Sequence, residues 1–208
     1  METKNSVADK LKILAFSDTH GKDLRKMVEE AEKQGVTHVF ACGDWSQLDE
    51  MPPYLVSQFT KKGMKMFIQA GNHETFATTD SLAELYGIKH LHGDGVVYNG
   101  IGFFGAGGTT QIGPHSVLDE DELFGLLKQG FEKVKHAKKK VMLVHEHPAG
   151  SLFEMGRFPG SKAIRRAIEE FKPDIVLCGH IHECAGVEEQ LGSTRIINVA
   201  KDGKILEL

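Results

Sequence analysis

Five short apolar runs in this 208-residue chain lead directly into aspartate, asparagine or histidine. Lys12–Ser17 is followed by Asp18-Thr19-His20, Thr37–Cys42 by Gly43-Asp44, and Met64–Ala70 by Gly71-Asn72-His73-Glu74. Val141–Val144 ends in His145, and Asp174–Cys178 is followed by Gly179-His180-Ile181-His182. Runs of this length are strands, and segments with helical spacing lie between several of them. Leu24, Met27, Val28 and Ala31 share one face of a helix over about 22–34, which Gly35 ends. Alternating strands and helices predict parallel pairing, with successive strands pointing the same way. Their carboxyl ends then share one rim, where α/β folds bind ligands. The chain must therefore bring acids, an amide and imidazoles to one edge.

The rest of the pattern adds antiparallel pieces. A helix is expected over about 52–61, with prolines in its first turn. Asn99-Gly100 lies between two β-rich runs in Gly95–Gly108, a hairpin signal because both turn residues tolerate positive φ. Helices are expected at about 118–136 and 161–171. Three strands close the chain at about 185–190, 194–199 and 204–207, with Gly192-Ser193 and Asp202-Gly203 read as the hairpin turns between them. The expected fold class is α/β, with two packed mixed sheets and helices outside. No linker interrupts the pattern, so residues 1–208 read as one domain.

A formal net charge of −4 gives no overall pull toward nucleic acid or an anionic membrane. The lysine run Ala137–Lys140 reads as a solvated strand entrance. Three cysteines, Cys42, Cys178 and Cys184, form neither a CxxC motif nor an even set, which suits a reducing compartment. The polar N-terminus lacks the apolar stretch of a signal peptide, and no run approaches the roughly 18 residues that span a bilayer. The expected location is the cytoplasm.

Five strand ends carrying Asp, Asn and His are poorly explained as buried core polar groups, because burying them without a cation is costly. Oxygen and imidazole donors without thiolate favour manganese, iron or zinc over a structural cysteine-bound zinc, and manganese is the expected ion. Seven candidate ligands exceed the needs of one transition metal and suit two divalent ions sharing a carboxylate.

The motifs Asp18-Thr19-His20, Gly43-Asp44, Gly71-Asn72-His73-Glu74, lone His145 and Gly179-His180-Ile181-His182, in that order, resemble the calcineurin-like metallophosphoesterases. Gly102–Gly108, Asp119–Leu123, Gly160–Glu183 and Ile197–Ala200 are similar to the Icc-related predicted phosphoesterases within that superfamily. The resemblance implies a four-layer αββα sandwich and a dinuclear site. It implies Asp18, His20 and His182 on one metal, Asn72, His145 and His180 on the other, and Asp44 bridging. It places His73 near the leaving group. The implied activity is metal-dependent hydrolysis of phosphodiesters or phosphomonoesters of small molecules, nucleotides among them. The alternatives are a nuclease of the same fold and a catalytically silent metal-binding scaffold. The acidic balance counts against nucleic acid, and the complete ligand set counts against the scaffold.

The sequence departs from the family at Gln47, where an acid often orients the GNH histidine. Asp49 and Glu74 are nearby substitutes, and Asn198 is expected to support the site from behind. Trp45 and Arg157 are candidate substrate contacts, as is His115. His147 is a weaker ligand candidate than His145. His92 reads as turn chemistry. Gly105–Thr110 reads first as a tight turn after a strand and second as a phosphate cradle.

Overall fold

The computed structural model describes residues 10–52, 54–154 and 158–208. In the first half, β1 (Lys12–Phe16), β2 (His38–Cys42), β3 (Lys65–Gln69) and β4 (Lys89–His90) alternate with α1 (Arg25–Lys33), α2 (Ser57–Thr60) and α3 (Phe76–Tyr86). The second half contains β5 (Asp94–Tyr98), β6 (Ile101–Ala106), α4 (Glu120–Val134), β7 (Lys139–Val144), α5 (Lys162–Phe171), β8 (Ile175–Cys178), β9 (Glu188–Leu191), β10 (Thr194–Asn198) and β11 (Lys204–Glu207).

The strands make two sheets, in the orders β11-β1-β2-β3-β4 and β5-β6-β7-β8-β10-β9. Pairing is parallel from β1 through β4, and parallel again across β6, β7, β8 and β10. Period-two alternation explains the layering. Ile13, Ala15, Phe40, Cys42, Phe67, Phe103, Val141 and Leu143 fill the space between the sheets. The intervening residues Leu14, Phe16, Val39, Ala41, Met66 and Ile68 belong to a second core with Leu24 and Val28 of the α1 region and Phe59 of α2. Phe104, Met142, Val144 and Val176 meet Leu127 of α4 and Ile164 and Ile168 of α5 in a third. Strands with two buried faces therefore give four layers, helices–sheet–sheet–helices. Gln69 crosses the inter-sheet core, donating to the carbonyls of Leu91 (2.7 Å) and Leu143 (2.9 Å).

The Asn99-Gly100 hairpin forms as expected, with φ of 49° and 78°. Gly192-Ser193 joins β9 to β10, which pair antiparallel. The Asp202-Gly203 turn does something else. Beyond β10, Ser17 bridges Ala200, and β11 then pairs antiparallel with β1, on the other sheet. The turn carries the chain across the sandwich rather than back along β10. The helix expected at 52–61 contracts to Ser57–Thr60. The sequence reading has no counterpart for α3, which Thr75 caps through Thr78 N–H and Gly87 ends in the left-handed region at φ 61°.

Candidate metal centre

The rim at the carboxyl ends of β1, β2, β3, β7 and β8 gathers Asp18, His20, Asp44, Asn72, His73, His145, His180 and His182. Donor atoms of Asp18, His20 and His182 lie within 4.8 Å of one another, as do those of His20, Asp44 and His73, and those of Asp44, His145 and His180. Asp44 and His20 each belong to two of these sets, so the three are continuous. His182 Nε2 lies 3.2 Å from Asp18 Oδ1 and 3.0 Å from His20 Nε2. His145 Nε2 lies 3.1 Å from Asn72 Oδ1 and 3.3 Å from Asp44 Oδ2.

The local backbone is unusual. Asp18, His20, Asp44 and His180 have φ of 57°, 45°, 50° and 67°, the left-handed region that non-glycine residues seldom adopt. Such strain, of order 1–3 kcal/mol each, persists where surrounding structure enforces it and clusters at functional sites. Gly179 shows one constraint. A methyl group there would overlap Ser17 Oγ and Asp18 Oδ2. The pair His180 and His182 does not converge through strand alternation. β8 ends at Cys178, His180 turns the chain, and His182 opens a 3-10 turn over His182–Cys184.

Residues behind the centre lock it. His145 Nδ1 donates to the Cys42 carbonyl at 2.9 Å. Buried Ser17 Oγ sits 3.0 Å from the carbonyls of Cys42 and Gly43. Asn198 donates to Ile181 O at 3.0 Å and accepts from Ala200 N–H at 2.9 Å, which holds the loop carrying both histidines. Fully buried Glu74 accepts from the N–H groups of Asp44 (2.9 Å), Ser46 (2.7 Å) and Gly71 (2.8 Å) and from Ser46 Oγ (2.8 Å). Burial, followed by the Asp44 charge, pushes the Glu74 carboxyl up to about 7 despite those donors. Glu74→Gln turns an amide donor toward those same donors. It is expected to cost about 1–3 kcal/mol, read as a fall in melting temperature of about 2–10 °C.

The electrostatics of the centre fit a metal. Asp18 and Asp44 are 1% and 2% exposed, and among the described residues no lysine or arginine bonds to either. With Nδ1–H committed to Cys42, neutral His145 turns an Nε2 lone pair toward the Asp44 carboxylate. Two acceptors at that distance need a proton or a cation between them. Burial opposes charge on His145, yet Asp44 and then Asp18 outweigh it and push the imidazole up to about 10. Burial and the charge of His145 drive His180 down to about 3. Among the described residues, Nδ1 of His20 and of His73 is buried without a partner. Carboxylate and imidazole donors around two buried negative charges suit divalent manganese, iron or zinc.

Several sequence expectations land elsewhere. Trp45 follows Asp44 but points into the core, fully buried, with Nε1 donating to Gln69 O at 2.9 Å; it is not a surface that substrate can touch. Gln47 is exposed and bonds through its backbone to Glu50, so its side chain does not orient His73. Asp49 accepts from Thr75 N–H at 3.0 Å instead. Arg157 lies outside the described residues. His147 stands apart from the clustered donors, its Nε2 donating to Phe158 O at 3.1 Å. Gly105 and Ala106 end β6, and the chain turns over Gly107–Thr110. Its N–H groups at Gly107, Gly108, Thr109 and Thr110 are taken by His92, Ala70 O, Ser116 O and Glu146. His115 contributes its backbone N–H to Asn72 O at 3.2 Å. Ser17 and Glu146 escaped the sequence reading. Ser17 is the last residue of an apolar run and looks like a strand end, while Glu146 is masked by the histidines on either side.

The sequence profile of the calcineurin-like phosphoesterases matches residues 11–184. An uncharacterized protein of Methanocaldococcus jannaschii, MJ1162, is 28% identical over 209 residues, covering 90% of this chain and 87% of that one. The crystal structure of TT1561 of Thermus thermophilus superposes with a TM-score of 0.71 at 17% identity, covering 93% of this chain and 90% of that one. Phosphopantetheinyl hydrolase of Mycobacterium tuberculosis superposes with a TM-score of 0.64 at 14% identity, covering 94% and 90%. At these identities the superpositions speak for the fold, two mixed sheets flanked by helices. The profile match spans most of the chain, all seven clustered ligand candidates included, and on that match the chain belongs to the calcineurin-like phosphoesterase family.

Proposed function

We propose that this protein hydrolyses phosphate esters of small molecules, diesters or monoesters, with two divalent ions held at the rim. Asp18, His20 and His182 would hold one ion, and Asn72, His145 and His180 the other, with Asp44 between them. The observation that carries this reading is the continuity of the donor clusters through Asp44. The mixed carboxylate, amide and imidazole donor set suits manganese, iron or zinc, and manganese is the ion we propose to test first.

Divalent ions at such a centre supply Lewis-acid chemistry, offsetting charge on phosphoryl oxygens and acidifying water. The chain's own residues do the remaining work. The Cys42 carbonyl fixes His145 in the tautomer that presents Nε2 to the centre. Asn198 and Glu74 hold the loops so that donors need not reorganise when substrate arrives. His73 binds Asp44 Oδ1 through its backbone N–H at 2.9 Å, while its imidazole Nε2 lies 4.0 Å from Asp44 Oδ2. That ring is partly exposed, and in this reading it would hand a proton to a departing alkoxide.

The test is turnover of an aryl phosphodiester and an aryl phosphomonoester with added Mn²⁺, with metal content measured in parallel. His73→Gln is expected to lower kcat by about 10²–10⁴-fold while metal content stays at the wild-type level. Metal-replete protein that turns over neither ester would overturn the reading.

A further inference from the structure

Starting at the residue after His20, the chain opens a cavity of about 590 Å³ that the chemistry above leaves unused. That volume lies within the roughly 300–1,000 Å³ of small-molecule sites. Its wall begins at Gly21, the residue after His20, and continues through Lys22 and Leu24; the facing wall comes from Pro52, Tyr54 and Lys61. Leu24 and Pro52 are buried and give an apolar floor. Tyr54 stands 74% exposed at the lip. Its φ of 64° is a strained value for a bulky residue, and it holds the ring out over the cavity rather than in the core.

Charge in the cavity is lopsided. Arg25 is spent on Asp23, with Nη2 2.6 Å from Oδ2. Among the described residues, neither Lys22 nor Lys61 pairs with an acid, whereas neighbouring Lys62 reaches Glu32 at 2.8 Å. Two free ammonium groups thus flank an apolar floor and an exposed aromatic ring. An exposed aromatic ring stacks on flat rings, and a lysine pair recognises phosphate or another anion.

We propose that this cavity holds the organic part of the substrate, and that it selects phosphate esters carrying a flat aromatic ring and a second anionic group. The ring lies against Tyr54 above Leu24 and Pro52, and the second anion meets Lys22 and Lys61. The assignment rests on the phosphoesterase reading in one respect, that the first phosphate sits at the metal centre.

Calorimetric titration of the Mn²⁺-loaded full chain separates the two claims. The probes are thymidine 3′,5′-bisphosphate, which has ring and second anion, and methyl phosphate, which has neither. The wild type is expected to bind the bisphosphate at least about tenfold more tightly, the scale of one stacked base. Lys61→Glu and Tyr54→Ala, both changes of exposed side chains, are expected to reduce that preference by about fivefold or more each. A wild type without preference, or a preference that both variants retain, would overturn the cavity assignment. The expected binding pattern without hydrolysis of any ester would instead overturn the proposed activity and leave the cavity assignment standing.

Discussion

Asp44→Asn is expected to empty the centre while leaving the fold in place. Asparagine matches the shape of aspartate and tolerates the left-handed backbone that Asp44 adopts at φ 50°, so the exchange isolates the charge. Alanine would add backbone strain and blur the result. Without the carboxylate two of the three donor sets lose their shared member, and buried His145 loses its principal counter-charge. Elemental analysis should show metal content falling well below that of the wild type. Esterase activity should fall by about 10³-fold or more, as loss of several kcal/mol of charge stabilisation requires. A thermal readout is independent of any substrate. Metal at about 100 times its Kd stabilises the wild type by ~2.7 kcal/mol, a rise in melting temperature of about 5–10 °C for a chain of this size. Asp44→Asn should lose that rise. Wild-type metal content with activity within tenfold of normal would remove Asp44 from the centre.

Gly179→Ala is expected to damage stability and metal affinity together. The added methyl group would occupy the space of Ser17 Oγ and Asp18 Oδ2, and neither can withdraw, since both residues are buried. Asp18 is further tied by His180 N–H at 2.9 Å. Overpacking of this kind costs about 1–3 kcal/mol or more, read as a melting temperature lower by about 2–10 °C or more. Displacing Asp18 should also weaken metal binding, measured as a higher Mn²⁺ requirement for protection against unfolding. Gly125→Ala supplies the contrast. That glycine is exposed inside α4 with open space around its Cα, so alanine should stabilise by about 0.5–1 kcal/mol. Equal behaviour of the two substitutions would contradict the packing argument at Gly179.

The sequence made the strands and their chemical endings legible for one reason. Short apolar runs and the Asp, Asn and His that follow them are local signals. What it hid depends on distance. The Asp202-Gly203 dipeptide shows that the chain turns, but not which strand receives it, and β11 pairs with β1 instead of β10. The α3 helix carries a narrow buried stripe of Thr79, Leu82 and Ala83, too slight a pattern to stand out; its signals are the capping Thr75 and the terminal Gly87. Trp45 shows that adjacency to a candidate ligand says nothing about direction, because the turn after β2, with Asp44 at φ 50°, leaves Asp44 at the rim and the indole in the core. Gln47 stands in the place of an orienting acid, yet Glu74 holds the Asp44–Ser46 and Gly71 segments through their N–H groups, a role that only the folded loops reveal.

The crossing made by the final strand has a consequence for biogenesis. β1 lies near the start of the described chain and waits for Lys204–Glu207 to cover its outer edge. A nascent polypeptide can pair β1, β2 and β3 long before Lys204–Glu207 leave the ribosome. During that interval β1 presents bare N–H and C=O groups, the kind of edge that recruits strands from other molecules. Docking of β11 joins strands separated by most of the described sequence, a late event on topological grounds. The closing strand thus ends a vulnerable period, and stalled or shortened translation products should be the aggregating species.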